Sequence, residues 1–264
     1  MKQRIMSAAI GVVLLALVVF SNPAVLNIAV LGIAEIAIYE VLRAVGMHKN
    51  YFYYIPACLL PAGMLFTGIE HMGIVIYIFM AAVLILMLFN KNDNKFRDAA
   101  TVFTAAIMIC FSFYFIPRVR FLAHGIENVM LIFIGCWITD TFAYFTGITV
   151  GKHKLAPKIS PKKTVEGSIG GIIGTTAVMV AYAAVVSNII NGVSADLFRA
   201  AALGFICSIV SQAGDLCASV IKREHNVKDY GSIMPGHGGV MDRFDSAMFV
   251  APIVYCFIKL FPIF

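Results

Sequence analysis

Nine long apolar stretches, separated by short polar segments, dominate the pattern of hydrophobic and polar positions along the chain. A helix that crosses a bilayer needs about 20 predominantly apolar residues, with a tolerated range of roughly 17–25. The pattern therefore predicts about nine transmembrane helices. They are expected at residues 5–20, 24–45, 51–67, 72–90, 99–117, 127–147, 167–190, 197–221 and 246–264.

Composition narrows the class of protein. The chain has 264 residues, of which 61% are hydrophobic and 13% charged, and its mean hydropathy is +0.90. Soluble domains carry about 25% charged residues, and a soluble fold of this size needs a polar surface. These values exclude a single soluble domain, a disordered chain, a coiled coil and a disulfide scaffold. The predicted fold class is an all-α integral membrane protein, a polytopic bundle of helices.

Lysine and arginine residues gather in alternate loops, as the positive-inside rule requires of cytoplasmic loops. With the N-terminus in the cytoplasm, sixteen of the twenty lysines and arginines fall on the cytoplasmic side and four on the other. This split predicts a multi-pass protein of the cell (inner) membrane, with its N-terminus in the cytoplasm and its C-terminus outside. It also accounts for the net charge of +6, so no nucleic-acid partner is predicted.

Acids inside the predicted spans divide the chain into two parts. The first four spans contain few, chiefly Glu35 and Glu40, which we interpret as partners in helix–helix hydrogen bonds. The later spans and their loops are richer in polar chemistry. We therefore predict a four-span membrane region at 1–98 and a five-span catalytic region at 99–264, with cytoplasmic loops at 148–166 and 222–245.

Asp140 lies in the middle of the sixth predicted span. An acid at that depth costs roughly 2.5–3.5 kcal/mol on insertion scales, so we expect Asp140 to face a cavity or a partner rather than lipid. At about 100° per residue, Trp137, Tyr144 and Gly147 share its helix face. A structural ion pair is the alternative, and the pattern favours a functional role.

The eighth span carries a polar stripe on an otherwise apolar helix. Projected at about 100° per residue, the stripe is roughly 80° wide. Such a stripe is either a hydrogen-bonded packing seam or a wet, ion-lined face, and its continuation into Arg223 favours the wet face. The stripe consists of Ser208, Ser211, Asp215, Ser219 and Lys222, with Gln212 at its margin.

The loop after the eighth span combines charges of both signs with glycine. The positive-inside rule accounts for its four cations but not for its four acids. Asp242 and Asp245 are three residues apart, so a helix that begins nearby would point both to one side. Carboxylates among lysines and arginines suit a Mg²⁺–phosphate site, because Mg²⁺ prefers oxygen ligands. The run Pro-Gly-His-Gly-Gly at 235–239 allows a close backbone approach to an anion.

The loop after the sixth span, at 151–167, holds five lysines and one glutamate. Two explanations stay open: attraction to anionic lipid head groups, and an electrostatic cradle for a polyphosphate. The glycines that follow have the small-x-x-x-small spacing that is typical of helix packing. They are Gly167, Gly170, Gly171 and Gly174.

The motif that begins at Ser219 is long and mixed in chemistry. It resembles that of the phosphatidate cytidylyltransferase family, also called CDP-diacylglycerol synthases, without a departure. Ser211-Gln212-x-Gly214-Asp215 and the stretch from Asp140 to Gly167 resemble the same family, and the resemblance covers about residues 130–250. The motif reads Ser219-x-x-Lys222-Arg223-x-x-x-x-Lys228-Asp229-x-Gly231-x-x-x-Pro235-Gly236-His237-Gly238-Gly239-x-x-Asp242-Arg243-x-Asp245.

The resemblance implies transfer of the CMP group of CTP to phosphatidate, with CDP-diacylglycerol and pyrophosphate as products. It further implies that Asp215 and Asp242 hold Mg²⁺. The candidate catalytic residues are Asp140, Lys222, Arg223, Lys228, Asp229, Asp242, Arg243 and Asp245. The candidate substrate- and phosphate-binding residues are Lys152, Lys162, Lys163, Ser211, Gln212, Ser219, Gly236, His237, Gly238 and Gly239.

The expected partners are CTP, phosphatidate and the lipid bilayer, with the active site on the cytoplasmic side. The sequence leaves open whether a second cation takes part and whether the chain forms a homodimer. The residues agree with the chemistry, because such a transfer depends mainly on positioning two polyanions and stabilising the departing pyrophosphate. The alternatives are a membrane kinase or nucleotidyltransferase that acts on another lipid, such as a polyprenol, and a transporter for a phosphorylated anion.

Overall fold

A computed structural model describes residues 2–90, 93–190, 193–234 and 238–264. Helices dominate these residues, and each predicted apolar stretch coincides with a helix to within five residues at either end. A 3₁₀ turn (Ile69–His71) precedes α4, and a π-helical segment (Ile134–Ile138) joins α6 to α7 without a break. The helices are α1 (Lys2–Phe20), α2 (Pro23–Ala44), α3 (Tyr51–Phe66), α4 (Met72–Phe89), α5 (Lys95–Arg120), α6 (Gly125–Phe133), α7 (Thr139–Val150), α8 (Val165–Ile189), α9 (Leu197–Glu224) and α10 (Met241–Leu260).

Six helical segments in the described part of the chain are long and apolar enough to cross a membrane. Two shorter apolar helices, Ile10–Phe20 and Tyr51–Phe66, lie among the first three predicted spans. Large apolar side chains such as Ile28, Leu59 and Ile173 are exposed on the helices, as expected of lipid-facing positions. The structure thus supports an all-α membrane protein. The six segments are Pro23–Ala44, Ile69–Phe89, Lys95–Arg120, Gly125–Val150, Val165–Ile189 and Leu197–Glu224.

The chain forms two compact units. Unit 1 comprises Met1–Pro117 and His225–Phe244, and unit 2 comprises Arg118–Glu224 and Asp245–Phe264. In unit 1, α2 packs on α1 and α3, and α3 packs on α4. In unit 2, α8 packs on both α7 and α9. The functional division at residue 98 that the sequence suggests stays a prediction.

The lysine-rich segment after α7 is a β-hairpin, which the sequence analysis did not foresee. Strand β1 (Lys154–Ala156) pairs antiparallel with strand β2 (Ser160–Thr164). The hydroxyl of Thr164 then accepts a hydrogen bond from the Gly167 amide at 3.1 Å and caps the N-terminus of α8. Because both strands are short and mostly polar, they lack the alternation that marks a half-buried strand.

Glycines bring α8 against α7, which confirms the predicted packing role. A Cβ at Gly174 would lie 2.8 Å from the Cβ of Phe142, and one at Gly170 would lie 2.5 Å from the Cβ of Thr146. A Cβ at Gly167 would lie 2.6 Å from the backbone oxygen of Ala143. Side chains at these positions would push the two helices apart. The glycines therefore set how closely α8 approaches α7, which carries Asp140.

We predict that Gly174→Ala destabilises the protein, because its methyl group overlaps Phe142 in a tightly packed contact. The expected loss is about 1–3 kcal/mol of unfolding free energy. Thermal unfolding in detergent measures it. Gly32→Ala, on the exposed side of α2 with no atom within 4 Å of the added Cβ, is the matched control and should be neutral or stabilising. Equal melting temperatures for Gly174→Ala and the wild type would contradict the packing role.

Candidate active site

A cavity of about 560 Å³ in unit 2 collects five of the predicted site residues. Its wall is formed by α7, the β-hairpin, the first turn of α8 and the middle of α9. These five comprise two acids, two lysines and an amide, from segments up to 75 residues apart in the chain. These residues are Asp140, Lys162, Lys163, Gln212 and Asp215.

Asp215 contacts two neighbouring side chains in the cavity wall. Its Oδ2 lies 2.6 Å from Nζ of Lys163, and its Oδ1 accepts a hydrogen bond from the Ser219 hydroxyl at 3.3 Å. The side chains of Asp215 and Lys163 keep 27% and 24% of their surface accessible. Since neither group is fully buried, both can still contact a ligand that enters the cavity.

The polar stripe of α9 is buried along most of its length. Ser208, Ser211 and Ser219 are buried together with Lys222. Gln212 donates to the backbone oxygen of Ser168 on α8 at 3.3 Å. The stripe is therefore a hydrogen-bonded seam with α8 that opens into the cavity at Asp215. The buried hydroxyl of Ser211 lacks a hydrogen-bond partner within the described structure.

Asp245 adds a third carboxylate to this region of unit 2. It is buried, accepts a 2.7 Å hydrogen bond from the Ser246 amide, and interacts electrostatically with Asp140, Asp215 and Lys222. Three acids and a buried lysine within electrostatic reach of one another form an ionic cluster. Such a cluster is costly in a low-dielectric environment unless cations or hydrogen-bond donors compensate it.

Asp140 lines the cavity, as predicted, together with Tyr144 and Gly147 from the same face of α7. Trp137, which was expected on that face, is not among the lining residues and instead packs its ring 5.2 Å from that of Phe133. Trp137 lies in the π-helical segment Ile134–Ile138, where the 100° periodicity on which the projection relied does not hold.

Two contacts hold the β-hairpin in place. Glu166 accepts hydrogen bonds from the backbone amides of Lys152 and His153 at 3.1 and 3.2 Å, and its Oε1 lies 2.6 Å from Nδ1 of His153. Arg223 donates to the backbone oxygen of Ile159 at 3.3 Å, which ties the end of α9 to the hairpin turn. With the hairpin held, Lys163 reaches Asp215. Lys152 is exposed and is not among the residues that line the cavity.

The rest of the motif belongs to unit 1. Asp242 is buried in the first turn of α10, and its Oδ2 accepts hydrogen bonds from the amides of Tyr230 and Gly239 at 2.8 and 3.0 Å. Gly238 adopts a φ of +85°, a backbone conformation that favours glycine. Three predicted site residues, Lys228, Asp229 and Arg243, are exposed. Two others, Gly236 and His237, lie outside the described residues.

Glu40 contacts the motif in a way that the sequence analysis did not predict. It is 1% exposed on α2, and its carboxylate accepts hydrogen bonds from the amides of Val240 and Met241 at 3.1 and 2.8 Å. Its partners are thus the backbone at the start of α10 rather than a side chain on a neighbouring span. Glu35, in contrast, forms a side-chain hydrogen bond with Cys58 of α3, as expected of a helix–helix contact.

The donor set bears on the predicted Mg²⁺. Within the described ranges, no group of three or more histidine, cysteine, aspartate or glutamate side chains is placed to hold a metal ion. Mg²⁺ is usually bound by one or two carboxylates together with substrate phosphates and water. The partly open carboxylate of Asp215, beside lysines that suit phosphate, fits a cation that is shared with a nucleotide.

Comparison with known proteins agrees with this chemistry. Residues 2–261 match the cytidylyltransferase family. A protein of Bacillus subtilis (strain 168) named phosphatidate cytidylyltransferase is 33% identical over 277 residues, which cover 99% of this chain and 98% of that protein. A Staphylococcus aureus (strain COL) protein of the same name is 34% identical over 263 residues, covering 96% and 97%. One from Thermotoga maritima is 32% identical over 230 residues, covering 84% and 83%. The chain belongs to the cytidylyltransferase family.

Proposed function

We propose that this protein transfers the CMP group of CTP to phosphatidate and forms CDP-diacylglycerol and pyrophosphate. The observation that carries the proposal is the unit 2 cavity, where Lys162 and Lys163 stand beside Asp140 and Asp215. Such a site can neutralise phosphates and bind a divalent cation at once. Relatives that align with nearly the whole chain are named for this reaction.

The reaction needs positioning more than proton transfer. A phosphate oxygen of phosphatidate attacks the α-phosphorus of CTP, and the bond from that phosphorus to the oxygen of the β-phosphate breaks. Because the attacking phosphate is already ionised, the protein has to reduce repulsion between two anions and stabilise the charge on pyrophosphate. We assign this task to Lys162 and Lys163. Lys163 already neutralises a carboxylate at 2.6 Å and is held by the hairpin.

We propose Asp215 and Asp242 as Mg²⁺ ligands. Bound Mg²⁺ would supply positive charge to the triphosphate and to the leaving pyrophosphate. Support for Asp215 comes from its partial exposure and its place on the cavity wall. Support for Asp242 comes from its carboxylate, which two backbone amides hold in a fixed orientation. Asp140 lines the same cavity as Asp215 and adds a second carboxylate there, which favours a cation.

The cavity suits a substrate that stays in the bilayer. Tyr144 and Ile148 line it and are also more than half exposed on α7. An exposed apolar rim next to lysines allows acyl chains to remain in lipid while the phosphate enters the cavity. We further propose nine membrane crossings with the N-terminus in the cytoplasm, which places the β-hairpin on the cytoplasmic side, where CTP is available.

The purified protein in detergent, supplied with phosphatidate, labelled CTP and Mg²⁺, is expected to produce a labelled liponucleotide and pyrophosphate. Omission of phosphatidate is the control and should remove the product. If well-folded protein consumes no CTP but moves a phosphorylated anion across vesicles, the protein is a transporter and the proposal is wrong. If labelled product forms only when a polyprenol replaces phosphatidate, the substrate assignment is wrong.

We expect Asp215→Asn and Asp242→Asn each to lower kcat by about 10²-fold or more, because each removes charge from a proposed metal ligand. Expression and melting temperature should stay close to those of the wild type. The matched control is Asp196→Asn, which makes the same chemical change in an exposed pair with Arg199 at 3.0 Å. Asp196 caps the N-terminus of α9 by accepting a hydrogen bond from the Arg199 amide at 3.0 Å, and because asparagine is also a good helix cap, this variant should retain activity. Near-normal rates for both site variants would remove the metal proposal.

The orientation predicts which loops impermeant reagents can reach. In a variant without the six native cysteines, Lys158→Cys places a thiol in the hairpin turn, and Phe121→Cys places one between α5 and α6. Both positions are exposed. In intact cells only the thiol at 121 should be labelled, while both should be labelled after lysis. Labelling at 158 in intact cells would invert the topology.

A further inference from the structure

We infer that Glu40 is a positioning residue for the segment that carries Asp242. The inference concerns unit 1 alone and, for its catalytic consequence, rests on the proposed function. Glu40 lies on α2, in the part of the chain to which the sequence analysis gave no chemical role. Its buried carboxylate contacts the motif across 200 residues of sequence.

Glu40 accepts hydrogen bonds from the backbone amides that directly precede Asp242. The amides of Gly239, Val240 and Met241 are consecutive donors, and they divide between two carboxylates. Gly239 donates to Asp242, whereas Val240 and Met241 donate to Oε1 and Oε2 of Glu40 at 3.1 and 2.8 Å. Because Asp242 directly follows Met241, Glu40 fixes the backbone that carries the Asp242 side chain.

The position of Glu40 also suits its charge. α10 begins at Met241, and the first amides of a helix have no partner within the helix. A carboxylate at this end satisfies two of those donors and interacts favourably with the helix dipole. The same donors compensate the carboxylate for its removal from water. The Glu40 carboxylate and the two amides therefore stabilise each other, as expected if Glu40 holds this backbone in place.

Two glycines of the motif make room for this carboxylate. A Cβ at Gly231 or at Gly239 would lie 2.6 Å from Cδ of Glu40. Neither glycine has a positive φ among the residues described, so backbone conformation does not explain them. The need for a glycine at 231 is thus explained by the Glu40 side chain packed against it.

The first test uses hydrogen exchange, which does not depend on activity. Glu40→Gln keeps the size of the side chain but removes its charge and one acceptor. Backbone amides in 238–244 should exchange about tenfold faster than in the wild type. Glu35→Gln, the same change five residues earlier on α2, is the matched control and should leave this segment unchanged. Unaltered exchange in Glu40→Gln would overturn the inference.

The second test separates positioning from general loss of folding. If Glu40 orients a metal ligand, Glu40→Gln should raise the half-saturating Mg²⁺ concentration about tenfold and lower kcat, after correction for the folded fraction. A purely structural role predicts fewer active molecules with an unchanged Mg²⁺ dependence. That result would overturn the inference that Glu40 is a positioning residue. If the wild type makes no CDP-diacylglycerol, the proposed function fails, while hydrogen exchange still decides whether Glu40 holds the segment.

A third test removes the steric partner. Gly231→Ala should impair the wild-type protein, because its methyl group overlaps Glu40. In a Glu40→Ala background the overlapping atoms are absent, so Gly231→Ala should change stability and activity by less than about twofold. Gly32→Ala, which meets open space, controls in both proteins for the addition of a methyl group that contacts nothing. If Gly231→Ala is equally harmful in both backgrounds, Glu40 does not account for the glycine.

Discussion

A carboxylate that leaves water needs hydrogen-bond donors or a counter-ion, and three acids of this chain meet that requirement in different ways. Asp215 has Lys163 and Ser219, Asp242 has the amides of Tyr230 and Gly239, and Glu40 has two amides at the start of α10. Segments outside the long apolar helices supply most of these partners. The β-hairpin and the glycine-containing loop thus supply most of the charge and the hydrogen-bond donors that stabilise these carboxylates in a largely apolar protein.

The two kinds of partner have different consequences. A lysine is a flexible point charge, and Lys163 remains partly exposed, so it can contact a substrate phosphate while it stays near Asp215. Backbone amides cannot move without moving the chain, and they hold Asp242 and Glu40 rigidly. Under the proposed function, the first arrangement suits a site that must exchange substrates and products. The second suits a metal ligand whose orientation must not change between turnovers.

Much of the fold and part of the candidate site could be predicted from the sequence, because membrane helices obey strong local rules. Apolar length located the helices, the cost of a mid-span acid placed Asp140 on a cavity, and glycine spacing revealed the contact between α7 and α8. Other features depend on non-local contacts. The π segment interrupts the α-helical periodicity next to Asp140, and the polar hairpin had no periodicity to reveal it. Glu40 stood out as an acid within a span, but no sequence signal identified its partners, which are backbone amides 200 residues away.

The glycine-rich run illustrates why a correct physical principle can lead to an incomplete assignment. Its composition indicated amides that approach an anion closely, and the structure contains such amides at 239–241. Their anions are carboxylates of the protein itself, Asp242 and Glu40. A backbone N–H used in this way is largely committed, so the amides at 239–241 are less suited to phosphate than the lysines that line the unit 2 cavity. Under the proposed function, Gly231 and Gly239 serve the substrate indirectly, because they leave room for Glu40 beside the backbone that carries Asp242.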